Sequence, residues 1–270
     1  MIKCVIQAAD IHIRNFMRLE EYTVQLNKFI EECKNIASQY ERNEVRIVIC
    51  GDLVHQKLNI SNELMVFCSY FLRELQDIAD VIVYAGNHDL LVTNTTRTDT
   101  LTALFDTANF EHCRFLDQEL DYESGYIVDD NITWALFSIY DDYAVPEIDN
   151  PKGNTVIGLY RGTVFGAELD NGFTVNNGID GDIFKDCDYV MAGDIHKRQV
   201  LKRGNVEIVY PGSLVQQNFG ESVSKHGFVL WDIENLKHEF IDLENEYSLY
   251  NFSIKDIEDI DNNTEKLINL

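Results

Sequence analysis

The chain has 270 residues, 45% of them hydrophobic, and carries 46 acidic against 22 basic side chains for a formal charge of -24. That length suits one large α/β domain with ample material to bury. The acidity argues against a protein whose grip on nucleic acid rests on its own lysines and arginines. The apolar run after Lys3 is short and leads directly into Asp10 and His12, unlike a signal peptide. No segment approaches the roughly 20 apolar residues of a membrane helix, so a soluble protein with no membrane partner is expected. The six cysteines form no C-x-x-C pair, and Cys4, Cys33, Cys50 and Cys68 fall at apolar strand or helix-face positions, as free thiols of a reducing cytosol would.

In chain order, residues 4–9 read as a short apolar strand running straight into Asp10-Ile11-His12. Apolar residues at Leu19, Tyr22, Leu26, Phe29, Ile30, Cys33 and Ile36 then repeat with helical period over 19–37. A second strand over 45–50 enters Gly51-Asp52-Leu53-Val54-His55. Ser61 is an N-cap candidate for a second helix, with Glu63 in its first turn and Leu64, Phe67, Phe71, Leu72, Leu75 and Ile78 on its buried side. A third strand over 81–85 enters Gly86-Asn87-His88-Asp89, completing two β-α-β crossovers. A short helix is predicted over 98–107, and a hairpin over 125–137 turning at Asp129-Asp130-Asn131. Residues 143–181 are rich in turn formers and predict loops around a site mouth. The fourth junction runs from 188–192 into Gly193-Asp194-Ile195-His196. From Val206 short strands resume, including a hairpin of 228–231 with 237–241, and suit a second sheet. Residues 1–250 are expected to form one domain, and the acidic segment 251–270 to begin a capping domain.

Four strands that each deliver metal-ligand residues at their C-terminal ends carry the functional argument. Loops at the carboxyl ends of strands pool along one sheet edge, where α/β proteins place their chemistry. The pooled side chains are Asp, His, Asp, Asn, His, Asp and His, hard oxygen and imidazole donors that suit Mn²⁺, Fe²⁺ or Zn²⁺. A two-metal hydrolytic centre is the natural expectation.

The order D-x-H, G-D-x-x-H, G-N-H-D and G-D-x-H resembles the calcineurin-like metallophosphoesterase superfamily, whose last motif usually reads G-H-x-H. Gly193-Asp194-Ile195-His196-Lys197-Arg198, followed by Tyr210-Pro211-Gly212-Ser213 and His226-Gly227-Phe228, resembles the SbcD branch of DNA repair nucleases. The similarity runs from residue 1 to about residue 232. It implies an α/β/β/α four-layer sandwich and a metal-dependent phosphodiesterase that cleaves DNA as exonuclease and endonuclease, by in-line attack of metal-held water. Mn²⁺ is the implied ion, two per chain, with Mg²⁺, Fe²⁺ or Zn²⁺ as alternatives. Implied partners are DNA and an SMC-like ATPase of SbcC type, with a homodimer common in the branch, in the cytoplasm of a prokaryotic cell or a phage-infected host. A small-nucleotide phosphoesterase and a catalytically weakened scaffold subunit are the competing readings.

Carried over residue by residue, the resemblance gives the first metal Asp10, His12, the bridging Asp52 and His196. A shared carboxylate is needed because two dications roughly 3.5 to 4 Å apart repel unless an anion sits between them. The second metal would take Asp52, Asn87, Asp194 and a His from an L-x-H-G segment. Here the chain departs: the match is Leu159-Tyr160-Arg161-Gly162, and a guanidinium is always protonated and only donates. Arg161 and Asp194 could pair where the second metal would sit; alternatively Asp194 is an ordinary oxygen ligand, Arg161 swings away, or the loop is misaligned. The catalytic candidates are His88, matched to the general acid that protonates the leaving oxygen, and His55, matched to a phosphate-orienting role. Asp89 is expected to support a ligand from behind, His226 to be structural, and His112 and His238 to lie on the surface.

Overall fold

The computed structural model describes residues 1–94, 96–150 and 152–250. It opens with β1 (Cys4–Ala8), α1 (Leu19–Ala37), β2 (Val45–Cys50), α2 (Asn62–Gln76) and β3 (Asp80–Tyr84). Next come α3 (Thr100–Ala108), β4 (Cys113–Phe115), the single turn α4 (Leu116–Glu119) and the hairpin β5 (Gly125–Asp129) with β6 (Ile132–Phe137). The remainder is β7 (Thr155–Arg161), β8 (Tyr189–Gly193), β9 (Gln199–Arg203), β10 (Val206–Tyr210), β11 (Gly227–Asp232) and β12 (Lys237–Asp242). The segment 251–270, where a capping domain was expected to begin, lies outside the described residues.

Two six-stranded mixed sheets result, in the orders β12-β11-β1-β2-β3-β4 and β5-β6-β7-β8-β10-β9. Within them β1 to β4 run parallel, as do β6, β7, β8 and β10. The strands read as continuous apolar runs because both their faces are covered. In β2, Ile47 and Ile49 point to the helices while Val48 and Cys50 enter the layer between the sheets. That inner layer also takes Val5, Ile82, Trp134, Leu159, Met191, Val209 and Trp231. On the outer face of the first sheet α1 lays down Tyr22, Leu26, Phe29, Ile30 and Cys33, and α2 Leu64, Cys68, Phe71, Leu72 and Leu75. The N-cap at Ser61 forms as the sequence predicts, its Oγ accepting from Leu64 N at 3.2 Å. Over the second sheet, Phe137, Tyr160, Val190 and Tyr210 are covered by Val164, Val175, Phe184 and the 3-10 turn Gly181–Phe184. All six cysteines are buried and free. No helix among the described residues is long and apolar enough to cross a membrane.

Two sequence expectations change. The stretch 143–181 is not all loop, because β7 forms inside it and sits between β6 and β8 as a central strand. Its Thr-Val-Ile-Gly-Leu-Tyr core has strong β character, but turn formers on both sides mask so short a run. The 227–242 hairpin does form, yet it extends the first sheet beside β1, pairing Cys4 with Asp232 and Ile6 with Leu230. The second sheet begins earlier, at β5. Strand period shows that a strand exists and says nothing about which neighbour it will choose.

Gln7 explains part of that choice. It is fully buried on β1, its Nε2 donating to Val209 O at 3.0 Å and Ala192 O at 3.3 Å across the inner layer, while its Oε1 accepts from Trp231 Nε1 at 2.9 Å. One amide therefore ties β1 to β8 and β10 of the opposite sheet and to β11 of its own. Gln7→Leu keeps the volume but orphans the buried indole N–H, and should lower unfolding free energy by about 1–3 kcal/mol. Urea denaturation measures this, and an unchanged midpoint would show that the indole finds another acceptor.

Candidate metal centre

The C-terminal ends of parallel strands from both sheets meet at one edge of the sandwich. Asp10 lies two residues beyond β1, Asp52 two beyond β2, and Asn87 and His88 just beyond β3. From the second sheet come Arg161, the last residue of β7, and Asp194 and His196 after β8. The four sequence junctions therefore do not share one sheet edge. Three belong to the first sheet and one to the second, and the site forms where the two edges face each other.

The backbone at these positions is forced into the left-handed region, with φ of 53° at Asp10 and His12, 51° at Asp52 and 96° at Asp194. Such conformations cost energy in non-glycine residues and persist only where surrounding contacts impose them. Here the contacts are visible. The buried Asp89 carboxylate accepts from Asp52 N at 2.8 Å, Gly86 N at 2.9 Å and Val54 N at 3.2 Å. His12 N donates to Asp52 O at 2.9 Å, and Asp194 N to Asp10 Oδ2 at 3.1 Å. Asp89 thus holds the loop that carries Asp52. Burial, with the neighbouring Asp52 charge, pushes its own carboxyl up to about 8.

Arg161 occupies the centre of the cluster. Its Nη2 donates to Asp10 Oδ1 at 2.7 Å and makes a shorter contact to Asp52 Oδ2, while Nη1 reaches Cys50 O at 3.3 Å. Asp194 Oδ1 stands further off, at 3.8 Å. The expected pairing of Arg161 with Asp194 is therefore secondary, since the guanidinium binds first to Asp10 and Asp52, the pair at the ends of adjacent β1 and β2. Burial would lower the Arg161 pKa, but Asp10 and Asp52 outweigh it and raise it well above the ordinary value. Asp10 is held well below the usual carboxylate range by Arg161 despite the opposing cost of burial.

The imidazoles form a second layer. His12 Nε2 and His196 Nε2 stand 3.1 Å apart, and both approach Asp10 Oδ1, at 3.6 Å and 3.4 Å. Burial lowers His12 to about 3, so it is neutral. Burial would also lower His196, but hydrogen bonds to Asp10 and Glu221 outweigh it and raise it to about 10. His88 packs edge-on to His12 with ring centroids 4.7 Å apart and stacks on His55 at 5.2 Å. Its Nδ1 bonds the His55 carbonyl at 2.7 Å, an acceptor that fixes this nitrogen as the donor. The His88 backbone N–H donates to Asp52 Oδ1 at 2.8 Å. Burial, then Arg14, lowers His55 to about 4. Asn87 Nδ2 lies 3.4 Å from Asp194 Oδ1.

Sequence reasoning missed Glu221. Its Oε1 accepts from His196 Nδ1 at 2.7 Å, and its Oε2 accepts from Ser213 Oγ at 3.1 Å and Gln217 N at 2.8 Å. Glu221 has no motif around it, but its supports do. Ser213 closes the Tyr-Pro-Gly-Ser run, and His226 of the His-Gly-Phe run bonds both Ser213 and, through Nε2, Ser222 O at 2.6 Å. Those two motifs brace the carboxylate that orients His196, and His226 is buried accordingly. His112 is half exposed beside Asp80, whereas His238 is not a surface residue but half-buried, its ring 4.8 Å from Trp231.

Asp10, His12 and His196 bring donor atoms within 4.8 Å of one another, and His12, His55 and His88 form a second such trio. Asn87 Oδ1 is buried without a hydrogen-bond partner, as an oxygen directed to a cation would be. Oxygen and imidazole donors in this mixture suit a divalent transition ion. The residues fit one ion at Asp10, His12 and His196. Arg161, not an open donor set, occupies the space between Asp10 and Asp52.

Two facing mixed sheets with helices outside, and Asp, Asn and His donors at their parallel strand ends, define a phosphoesterase hydrolase fold of the metal-binding kind. The calcineurin-like phosphoesterase family matches residues 5–198, and the chain belongs to that family. An uncharacterized protein of Acanthamoeba polyphaga mimivirus is 33% identical over 265 residues, covering 94% of this chain and 19% of the relative, so the chain spans about a fifth of that relative's length. Among solved structures, an archaeal phosphodiesterase aligns over 89% of this chain and 99% of its own at 13% identity and a TM-score of 0.47. A single mutant of Vps29 from Entamoeba histolytica aligns over the same shares, 89% and 99%, at 13% identity and a TM-score of 0.39.

Because Glu221 fixes the orientation and basicity of His196, Glu221→Ala should weaken Mn²⁺ binding by about 10- to 100-fold, the usual effect of losing such a support. Isothermal titration with Mn²⁺ reads it directly, and unchanged affinity would place His196 outside the ion site.

Proposed function

We propose that the chain is a metal-dependent phosphodiesterase that cleaves DNA and works with an SMC-like ATPase, as its sequence motifs imply. The observation that carries the reading is the convergence of Asp10, His12 and His196 as an ion site with His88 directly alongside, its Nε2 free and its Nδ1 fixed by the His55 carbonyl. A divalent ion at Asp10, His12 and His196 would polarise water and phosphate oxygens. His88, protonated at Nε2 as well as at Nδ1, would pass the Nε2 proton to the leaving oxygen. Arg14 stands at the same mouth, with Nη2 held by Gln217 Oε1 at 3.1 Å and Nε buried and unpaired, and supplies a positive charge for a phosphate.

The charge of -24 remains an obstacle to tight DNA binding by this chain alone, which is why a partner that also grips DNA belongs to the proposal. Beside His196 a cavity of about 590 Å³ is lined by Lys197, Arg198 and Lys225 as well as by Asp170, Glu221 and Asp242. Lys197 pairs with Glu168 at 2.7 Å, and Arg198 pairs with Asp242. Local cations are thus already partly neutralised. This favours modest affinity for a phosphodiester over an electrostatic clamp. Mn²⁺ as the working ion, a homodimer and a place in the cytoplasm of a prokaryotic or phage-infected cell belong to the same proposal.

A second reading, a catalytically weakened scaffold subunit, is favoured by one observation: a guanidinium sits where the bridging carboxylate should meet a cation. Activity separates the two. The unmodified chain should cleave single-stranded DNA with Mn²⁺, and His12→Ala, which removes a neutral donor of the ion site, should abolish that cleavage while the circular dichroism of the chain is kept. No cleavage by the unmodified chain, or cleavage that survives His12→Ala, would sink the reading of this site as a working nuclease centre. His88→Ala should bind Mn²⁺ nearly normally yet turn over about 10²- to 10⁴-fold more slowly, the range lost with a general acid. Loss of ion binding together with rate would make His88 a ligand instead.

A further inference from the structure

We infer that Arg161 is a built-in cation standing in for one of two metal ions, so that this chain's centre takes a single divalent ion beside a permanent guanidinium. The inference concerns the ion site of the proposed phosphodiesterase and deepens that reading. It rests on four observations at Arg161. The side chain is 2% exposed, far too enclosed to reach a substrate phosphate. Its Nη2 is shared between Asp10 and Asp52, the place a second cation would have to occupy. Its path is built to fit: a Cβ on Gly51 or Gly86 would come within 2.9 Å of the Arg161 side chain, and one on Gly193 within 2.5 Å. Its strand fixes its reach, because β7 pairs in parallel with β8, bringing Arg161 level with Gly193.

Electrostatics point the same way. Arg161 lies against Asp10 and Asp52 and within 3.8 Å of Asp194. A second dication at Asp10 and Asp52 would sit against a guanidinium that cannot deprotonate. Asp194, the most distant carboxylate from Arg161 at 3.8 Å, keeps an oxygen toward Asn87 instead of joining the guanidinium closely. Arg161 is thus a positioning residue for Asp10 and Asp52 and a barrier to the second ion.

The test counts ions without DNA. The unmodified chain, Arg161→His and Arg161→Lys are dialysed to equilibrium against Mn²⁺, and bound metal is measured by mass spectrometry beside the Mn²⁺ electron paramagnetic resonance spectrum. The expected result is one isolated Mn²⁺ per chain for the unmodified protein and for Arg161→Lys, which keeps the charge. Arg161→His, with a neutral donor in place of the guanidinium, should hold two Mn²⁺ per chain with a spin-coupled spectrum. Two ions or none in the unmodified chain overturn the inference, as does a folded Arg161→His that still holds one. Should Arg161→His fail to fold, the count in the unmodified chain decides alone. Failure of this inference is distinct from failure of the nuclease reading: one bound Mn²⁺ with uncut DNA overturns the second and keeps the first, and two Mn²⁺ with cut DNA does the reverse.

Discussion

Asp10 and Asp52 stand at the ends of adjacent parallel strands with almost no exposure, and their charges must be met from within the protein because water cannot reach them. Arg161 meets both. Removing one member of such a buried pair typically costs about 3–5 kcal/mol, since the remaining charge is left without water or partner. The rest of the site is arranged around that requirement. Glycines at the ends of β2, β3 and β8 leave room for the guanidinium, left-handed backbone turns Asp10, Asp52 and Asp194 inward, and Asp89 holds the Asp52 loop by two backbone amides and its own turn by a third.

The two sheets divide the work. The first supplies the fixed carboxylates and the histidines that follow them in the chain, and the second supplies the cation at the end of β7 and the Asp194 and His196 loop after β8. Between them the apolar layer sets the spacing, and Gln7 and Tyr84 cross it, Tyr84 Oη donating to Met191 O at 2.9 Å. The positions of Asp10 and Asp52 relative to Arg161 are therefore set by core packing. A change deep in that layer would be felt at the site without touching a single functional side chain.

His196 shows how remote sequence is recruited. Its imidazole lies between Asp10 and Glu221, and Glu221 is positioned by Ser213, Gln217 and the loop that His226 secures. Two short motifs with no acid, base or metal chemistry of their own acquire a role through this chain of hydrogen bonds. The arrangement is a brace for one imidazole, and it places the orientation of His196 under the control of the segment between β10 and β11.

The sequence by itself determined which residues would be available and in what local setting. Helical period located α1 to the residue, Ser61 announced the start of α2, and four apolar runs ending in acidic or histidine residues announced the site. These are properties of nearest neighbours along the chain, where side-chain period and capping chemistry act. The family resemblance, too, rests on local spacing. What only the tertiary structure decided was partnership: that β7 is a strand wedged between β6 and β8, that β11 and β12 close the first sheet, that Glu221 backs His196, and that Arg161 answers Asp10 and Asp52 before Asp194. Each of those pairs is separated by tens of residues or more, or was hidden by flanking turn formers, and its members meet only because burying both faces of two sheets leaves their charges no other neighbour.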